Sequence, residues 1–242
     1  MGAGVQTSAM LIKYYKEYDY IIFADTGDEL PETYEYIEKY LKPFCEEHNA
    51  NWITVRHPKY DSLMDWSMDK KILPMRSTRQ CTKEFKVFPI QRFVRKHGAR
   101  IRDPCIMDIG FSIDESHRLG NDKHTPKYIK KNYPLLDDKL SRKDCEKIIT
   151  DFGWPIPAKS GCDFCPFKRW SEFKKLWQER PERFKEVVAM EKNDRGYPNH
   201  TLKDGHKLES IMLQNTNLNA FGFNDGDDPE DDMMCDEGHC MT

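Results

Sequence analysis

The chain has 242 residues and a mass of 28.7 kDa, with 38% hydrophobic, 33% charged and 12% aromatic residues and a formal net charge of −3. That size suits one sizeable domain, or one domain with a small appendage, and the aromatic content argues against disorder in its body. No run approaches the roughly 20 apolar residues of a membrane span, and no apolar h-region follows Met1, so the expectation is a soluble, cytoplasmic protein without a membrane partner.

Residues 2–8, GAGVQTS, form a glycine-rich turn. Between a strand and a helix, such a turn aims its N–H groups at phosphate; alone it is a weak signal, and no strand precedes it here. Apolar spacing over residues 8–18 predicts a helix directly after it. Residues 19–27, DYIIFADTG, read as a buried strand ending at an Asp and a Gly. Pro31 opens a helix over 32–48 whose acids lie near its front, as the helix dipole favours. A second strand follows at 51–58, then an irregular or short-helical stretch at 61–79 and a basic amphipathic helix at 86–97. Residues 105–113, CIMDIGFSI, predict a third strand, followed by the polar turn DESHR. Ser141 caps a helix that Gly153 stops. Residues 155–167 are a turn-rich connector, and one or two helices follow, broken at Pro181. Beyond about residue 215 periodicity gives way to acidic residues, which divides the chain into 1–214 and a 215–242 tail. Strands alternating with helices imply an α/β fold: a doubly wound, mostly parallel, Rossmann-like sheet with a C-terminal helical region. Ligands of such sheets bind beyond the carboxyl ends of the strands, so the glycine loop, the turn after Asp25 and residues 110–118 should converge.

Charge is unevenly spread. Between residues 70 and 102 the only acid is Glu84, which suits a polyanionic ligand, whereas the acidic tail reads as a solvated surface. Eight cysteines without a secretion signal point to metal or redox use rather than a disulfide framework. Cys45, Cys105 and Cys145 sit among core-like residues. Cys81, Cys162, Cys165, Cys235 and Cys240 lie in polar or turn-rich settings, and Cys162-x-x-Cys165 fits half a metal site or a redox dithiol. Lys168, Arg169, Lys174 and Lys175 around Trp170 suit a nucleic-acid backbone with a stacking base, although a Trp at that spacing is more often helix core. Among the histidines only His117, beside Glu115 and Arg118, invites inspection, and a solvated loop is its commoner setting.

Taken together, the glycine loop and ADTGDELPET resemble the phosphoadenosine phosphosulfate (PAPS) reductase family of the adenine-nucleotide alpha-hydrolase superfamily. In that family an SGGxDS loop is followed, after one helix, by a strand ending in DTG and then PET. The chain looks most similar to phage and bacterial members whose loop reads GGGVQS. Arg79-Gln80-Cys81-Thr82 with Lys86, Ile109-Gly110 with Asp114, Glu115 and Arg118, and SGCDFCPF before Trp170 are similar to further family elements in the same order. The resemblance implies that Gly2, Ala3, Gly4, Val5, Gln6, Thr7 and Ser8, with Asp25, Thr26, Gly27 and Gly110, bind an adenine nucleotide, ATP or PAPS. Gln6 stands where the family often has an acid. Arg79, Lys86 and Arg118 are the implied catalytic cations, and Asp25 either orients Mg²⁺ or a nucleotide hydroxyl or caps the next turn. The implied activity is ATP-pyrophosphatase chemistry in sulfur transfer, with a nucleic acid as one acceptor and a cysteine desulfurase or thioredoxin-like protein as sulfur donor. The alternatives are a true PAPS or adenylyl-sulfate reductase with a thiol donor, and a nucleotide- or nucleic-acid-binding protein without catalysis. Cys81, Cys162 and Cys165 resemble a three-thiolate 4Fe–4S site that Cys235 or Cys240 would close, with zinc as the structural alternative.

Overall fold

The strand expected at 19–27 forms as β1 (Ile21–Asp25) and pairs in parallel with β2 (Trp52–Arg56), Ile21 opposite Trp52 and Asp25 opposite Arg56. This is a computed structural model, and it describes residues 1–119, 125–195, 200–203 and 205–210. Alternate residues of β1 point to opposite faces. Ile21 and Phe23 pack with Leu11 of α1 (Val5–Tyr14), with Tyr36 of α2 (Pro31–Tyr36) and with Phe44 and Cys45 of α3 (Lys42–Glu47). Ala24 and Ile22 pack instead against Ile90 and Val94 of α6 (Phe88–Lys96). Helices therefore cover both faces, which is the doubly wound α/β arrangement read from the alternation of elements.

A second parallel ribbon joins β3 (Cys105–Asp108) to β4 (Ile129–Asn132). Cys105, Met107 and Ile129 share the cluster of Ile90 and Val94, so α6 underlies both ribbons. On the far side of α1, Val5, Ala9 and Met10 pack on Leu135 of α7 (Pro134–Asp137) and on Cys145 and Ile149 of α8 (Arg142–Asp151). The C-terminal helices α9 (Trp170–Glu179) and α10 (Pro181–Lys192) close over α4 (Leu63–Lys70). Phe85, Phe164, Phe173 and Phe184 are fully buried there. Each such side chain contributes about 1.5–3 kcal/mol of transfer free energy.

Several boundaries differ from expectation. Helix α1 starts at Val5 rather than residue 8, because extended Gly4 serves as its N-cap and the loop residues themselves take helical geometry. The helix after Pro31 continues to Glu47 through a π-helical turn at Ile37–Leu41, where the Lys42 N–H donates to the Ile37 carbonyl just before Pro43. A second such turn, Lys83–Val87, stands just before Pro89, so the basic helix begins earlier, at α5 (Gln80–Thr82). In both places the wide turn lies immediately ahead of a residue that has no N–H to give. The third strand ends at Asp108, and residues after Ser112 form a 3₁₀ turn, Ile113–Arg118, closed by a Ser112–Glu115 capping box. Strand β4 was unforeseen: its sequence, IKKN, is too polar to read as a strand. Ser141 does cap α8 through the Asp144 N–H, and Gly153 follows with φ +88°. Among the described residues no helix is long and apolar enough to cross a membrane.

Candidate functional site

The segment after the carboxyl end of β3 meets the glycine loop. Gly110 lies against the glycine loop so closely that a Cβ there would stand 3.0 Å from Thr7 Cγ2 and 3.4 Å from the Thr7 nitrogen. The Gln6 amide donates to Glu115 Oε2 at 3.1 Å and to Ser112 Oγ at 3.5 Å. Helix α1 thus opens inside the protein: Val5, Gln6, Thr7 and Ser8 are all buried, its first turn contains no acid, and no side chain caps it. Gln6 Oε1 is buried without a hydrogen-bond partner among the described residues. Free first-turn N–H groups and the positive end of the dipole make this a place for negative charge. Ala3, in the left-handed region at φ +58°, is buried beside it.

The turn after β1 supplies the second wall. Asp25 is 2% exposed and accepts from the Gly27 N–H at 2.9 Å, from Tyr34 Oη at 2.7 Å and from Arg56. Its carboxylate shapes the turn. Thr26 Oγ1 donates to Glu29 at 3.1 Å and lies 3.5 Å from Cys162 Sγ. Lys86 reaches Glu29 at 3.1 Å, so this cation arrives at the site already paired. The connector at 155–167 docks on the same turn: Glu29 bridges to Cys162, the Leu30 N–H donates to Gly161 and the Asp163 N–H to Asp28. Burial, seconded by Glu29, pushes the Cys162 thiol well above its ordinary value. Lys86 also acts on the Met1 ammonium, which burial lowers to about 5 and which donates to the Ile22 carbonyl.

Asp28 and Asp163 are held by Arg183 of α10, which bonds both, and by Arg180, which bonds Asp163. Burial raises Asp28 against the opposing pull of the Met64 N–H and Arg183. None of this clamp was read from the sequence: Arg180 and Arg183 lie far along the chain, at and just inside the start of α10, and resemble any solvated helix charge. Gln6, Ser112 and Glu115, by contrast, sit inside the quoted motifs.

Arg79, at φ +45°, carries its guanidinium over Phe167 at 5.3 Å, as does Arg76. Cys81 and Cys162 are electrostatic neighbours flanking one hydrophobic cluster, and the Cys165 N–H donates to the Cys162 carbonyl. Among the described residues no three Cys, His, Asp or Glu side chains gather at metal-ligand spacing, so Cys81, Cys162 and Cys165 do not form the three-thiolate set. Neither an iron–sulfur cluster nor zinc fits them as arranged. Cys235, Cys240 and the acidic tail lie outside the described residues, as does the side chain of Arg118. Trp170 is buried in the core, so it is no exposed stacking platform. Cys45 and Cys145 are buried packing residues, whereas Cys105 is only partly covered.

No protein-family description matches the chain, and no curated protein does. Among solved structures, the chain is similar to the crystal structure of a phosphoadenylyl-sulfate (PAPS) reductase from Candida auris in a phosphate complex. The sequence identity is 17% and the TM-score 0.47, over 65% of this chain and 72% of that one.

Proposed function

We propose that the chain binds an adenine nucleotide at the carboxyl-end face and is an ATP-pyrophosphatase-type enzyme of the PAPS reductase-like group, acting in sulfur transfer. The observation that carries the reading is the buried, uncapped, acid-free start of α1, pressed against Gly110 where two parallel ribbons end. Phosphate oxygens accept from the loop N–H groups around Gly4, Val5, Gln6 and Thr7. Each charge-assisted bond contributes about 1.5–3 kcal/mol. Gly2, Ala3 and Ser8 complete the loop, and Gly110 lets it approach the β3 end. Asp25, Thr26 and Gly27 form the opposite wall. Asp25 fixes that wall internally, and a Mg²⁺ ion brought with the nucleotide supplies charge neutralisation. Lys86, once it exchanges Glu29 for a phosphate, and Arg79 and Arg118 offset the charge that develops when the α–β bond breaks. A nucleic acid is one acceptor for the activated chemistry, and a cysteine desulfurase or thioredoxin-like protein is the source of sulfur.

Calorimetry with the full chain tests binding, and Gly110→Ala is expected to weaken nucleotide affinity about fivefold, because the new methyl displaces Thr7 at a cost of about 1 kcal/mol. Failure to bind ATP, PAPS or adenylyl sulfate refutes the nucleotide site. Pyrophosphate release from ATP supports the pyrophosphatase reading. Sulfite release from PAPS with a thiol donor replaces it with the reductase.

A further inference from the structure

The helix after the second wide turn carries an unpaired basic face. Pro89, Ile90 and Val94 of α6 are buried, while Phe88, Arg92, Arg95 and Lys96 are exposed. Spacings of three and four residues set these four on one side of the helix. The wide turn Lys83–Val87 adds Lys83 to that side, its ammonium standing 5.3 Å from the centre of the Phe88 ring. The same turn sends Lys86 inward to Glu29, so the stripe starts beside the candidate site. At its far end the Arg95 guanidinium lies 5.1 Å from the centre of the Tyr128 ring, and Arg100 donates to the Arg95 carbonyl. Lys147, Lys175 and Lys185, exposed on other helices, each face a carboxylate three or four residues away. Among the described residues no carboxylate pairs with Lys83, Arg92, Arg95 or Lys96, and Glu84 is the only acid between residues 70 and 102. The helix dipole accounts for Arg95 and Lys96 in the last turn, but not for Lys83 or Arg92.

We propose that this stripe binds an unpaired segment of RNA, whose phosphates meet Arg92, Arg95 and Lys96 while one base stacks on Phe88. A row of cations without carboxylates suits a polyanion, which sheds its own counterions on binding. The Phe88 ring, 42% exposed among those cations, narrows the choice. Bases in a duplex stay stacked on one another, whereas an unpaired base has a face free to lie on an aromatic ring. RNA is the nucleic acid whose recognised segments are loops and ends with bases splayed onto aromatic side chains. The inference deepens the proposed function by giving a nucleic-acid acceptor its surface. No adenine nucleotide enters its test, so the two readings fail separately.

The test is fluorescence anisotropy with the full chain and a labelled RNA of about twelve nucleotides, of mixed sequence without self-pairing. The strand is expected to bind at least about fivefold more tightly than its own duplex. Phe88→Ala should weaken strand binding at least about fivefold, the loss of one stacked base, and leave its salt dependence unchanged, while Phe88→Tyr retains affinity. Arg92→Gln combined with Lys96→Gln should instead flatten the slope of log affinity against log salt by about 0.7 for each phosphate released, about 1.4 in all. Lys147→Gln combined with Lys185→Gln is the control and should change neither quantity. Far-UV circular dichroism checks that each variant is folded. Absence of binding overturns the proposal, as does equal affinity for strand and duplex, which marks a surface that reads charge alone. A Phe88→Ala variant that binds like the parent, or a control that loses as much as the stripe variant, also overturns it. Tighter binding of a DNA strand of the same sequence, or binding only to vesicles of anionic lipid, assigns the surface to another partner and overturns it too.

Discussion

Gly27 is the position where one added methyl should reveal most about the turn after β1. Its φ is +76°, and a Cβ built on it would stand 2.2 Å from the Asp61 carbonyl oxygen and 2.8 Å from Ser62 Cα, both backbone atoms that cannot rotate aside. The left-handed conformation alone costs an alanine about 1–2 kcal/mol. Forcing the 61–62 backbone away adds about 1–3 kcal/mol of overpacking strain, so Gly27→Ala should lose about 2–5 kcal/mol in all. Gly153 is the internal control, since its φ is +88° and a methyl added there would meet nothing within 4 Å. Gly153→Ala should lose only the conformational part, about 1–2 kcal/mol. Urea unfolding followed by circular dichroism measures both, with equal m-values as the check on two-state behaviour. If the two variants lose the same stability to within about 0.5 kcal/mol, the close approach of the 25–29 turn to residues 61–62 is wrong.

Arg183→Leu should cost about 3–5 kcal/mol near neutral pH, because it strands Asp28 and Asp163 as buried carboxylates with one clamp removed. Burial raises Asp28 above its ordinary value of 3.8, so the folded state holds that proton at a higher pH than the unfolded chain does. The variant's deficit should therefore shrink as pH falls toward that value, and a deficit constant with pH would count against the buried pair. The Cys162 thiol, held protonated by burial and Glu29, should resist iodoacetamide at about pH 8 in the folded protein and react once guanidinium unfolds it. Modification of folded Cys162 as fast as in the unfolded chain would refute its placement against Thr26.

The alternation of apolar strands and amphipathic helices made the doubly wound fold legible, because the short apolar run IIFAD is buried almost throughout and helical spacing in α6 commits one face to burial. The loop at Gly4 and the turn after Asp25 were legible for the same local reason: glycines and an Asp at strand ends have few other uses. What escaped was long-range. β4 is polar because its outward residues see water, so IKKN carries no strand signal. The pairing of Lys86 with Glu29 and of Arg183 with Asp28 depends on which helix docks beside which turn, and neither sequence neighbourhood encodes that. The order of the cysteines along the chain resembles a shared site; the described residues bring Cys81 into electrostatic reach of Cys162 and close a turn from Cys162 to Cys165, without gathering a metal-ligand group.

The Asp28–Arg183 bond joins residues 155 apart in the chain. During synthesis from the amino end, β1 and its turn leave the ribosome long before α10 exists, so one wall of the candidate site waits for α10 to arrive. Closing so wide a loop is slow compared with forming the local helices. A chain halted before α10 would hold the glycine loop and lack the clamp that sets Asp28. Competence for ligand should then appear as a late, abrupt event in a series of stalled chains, rather than growing in proportion to length.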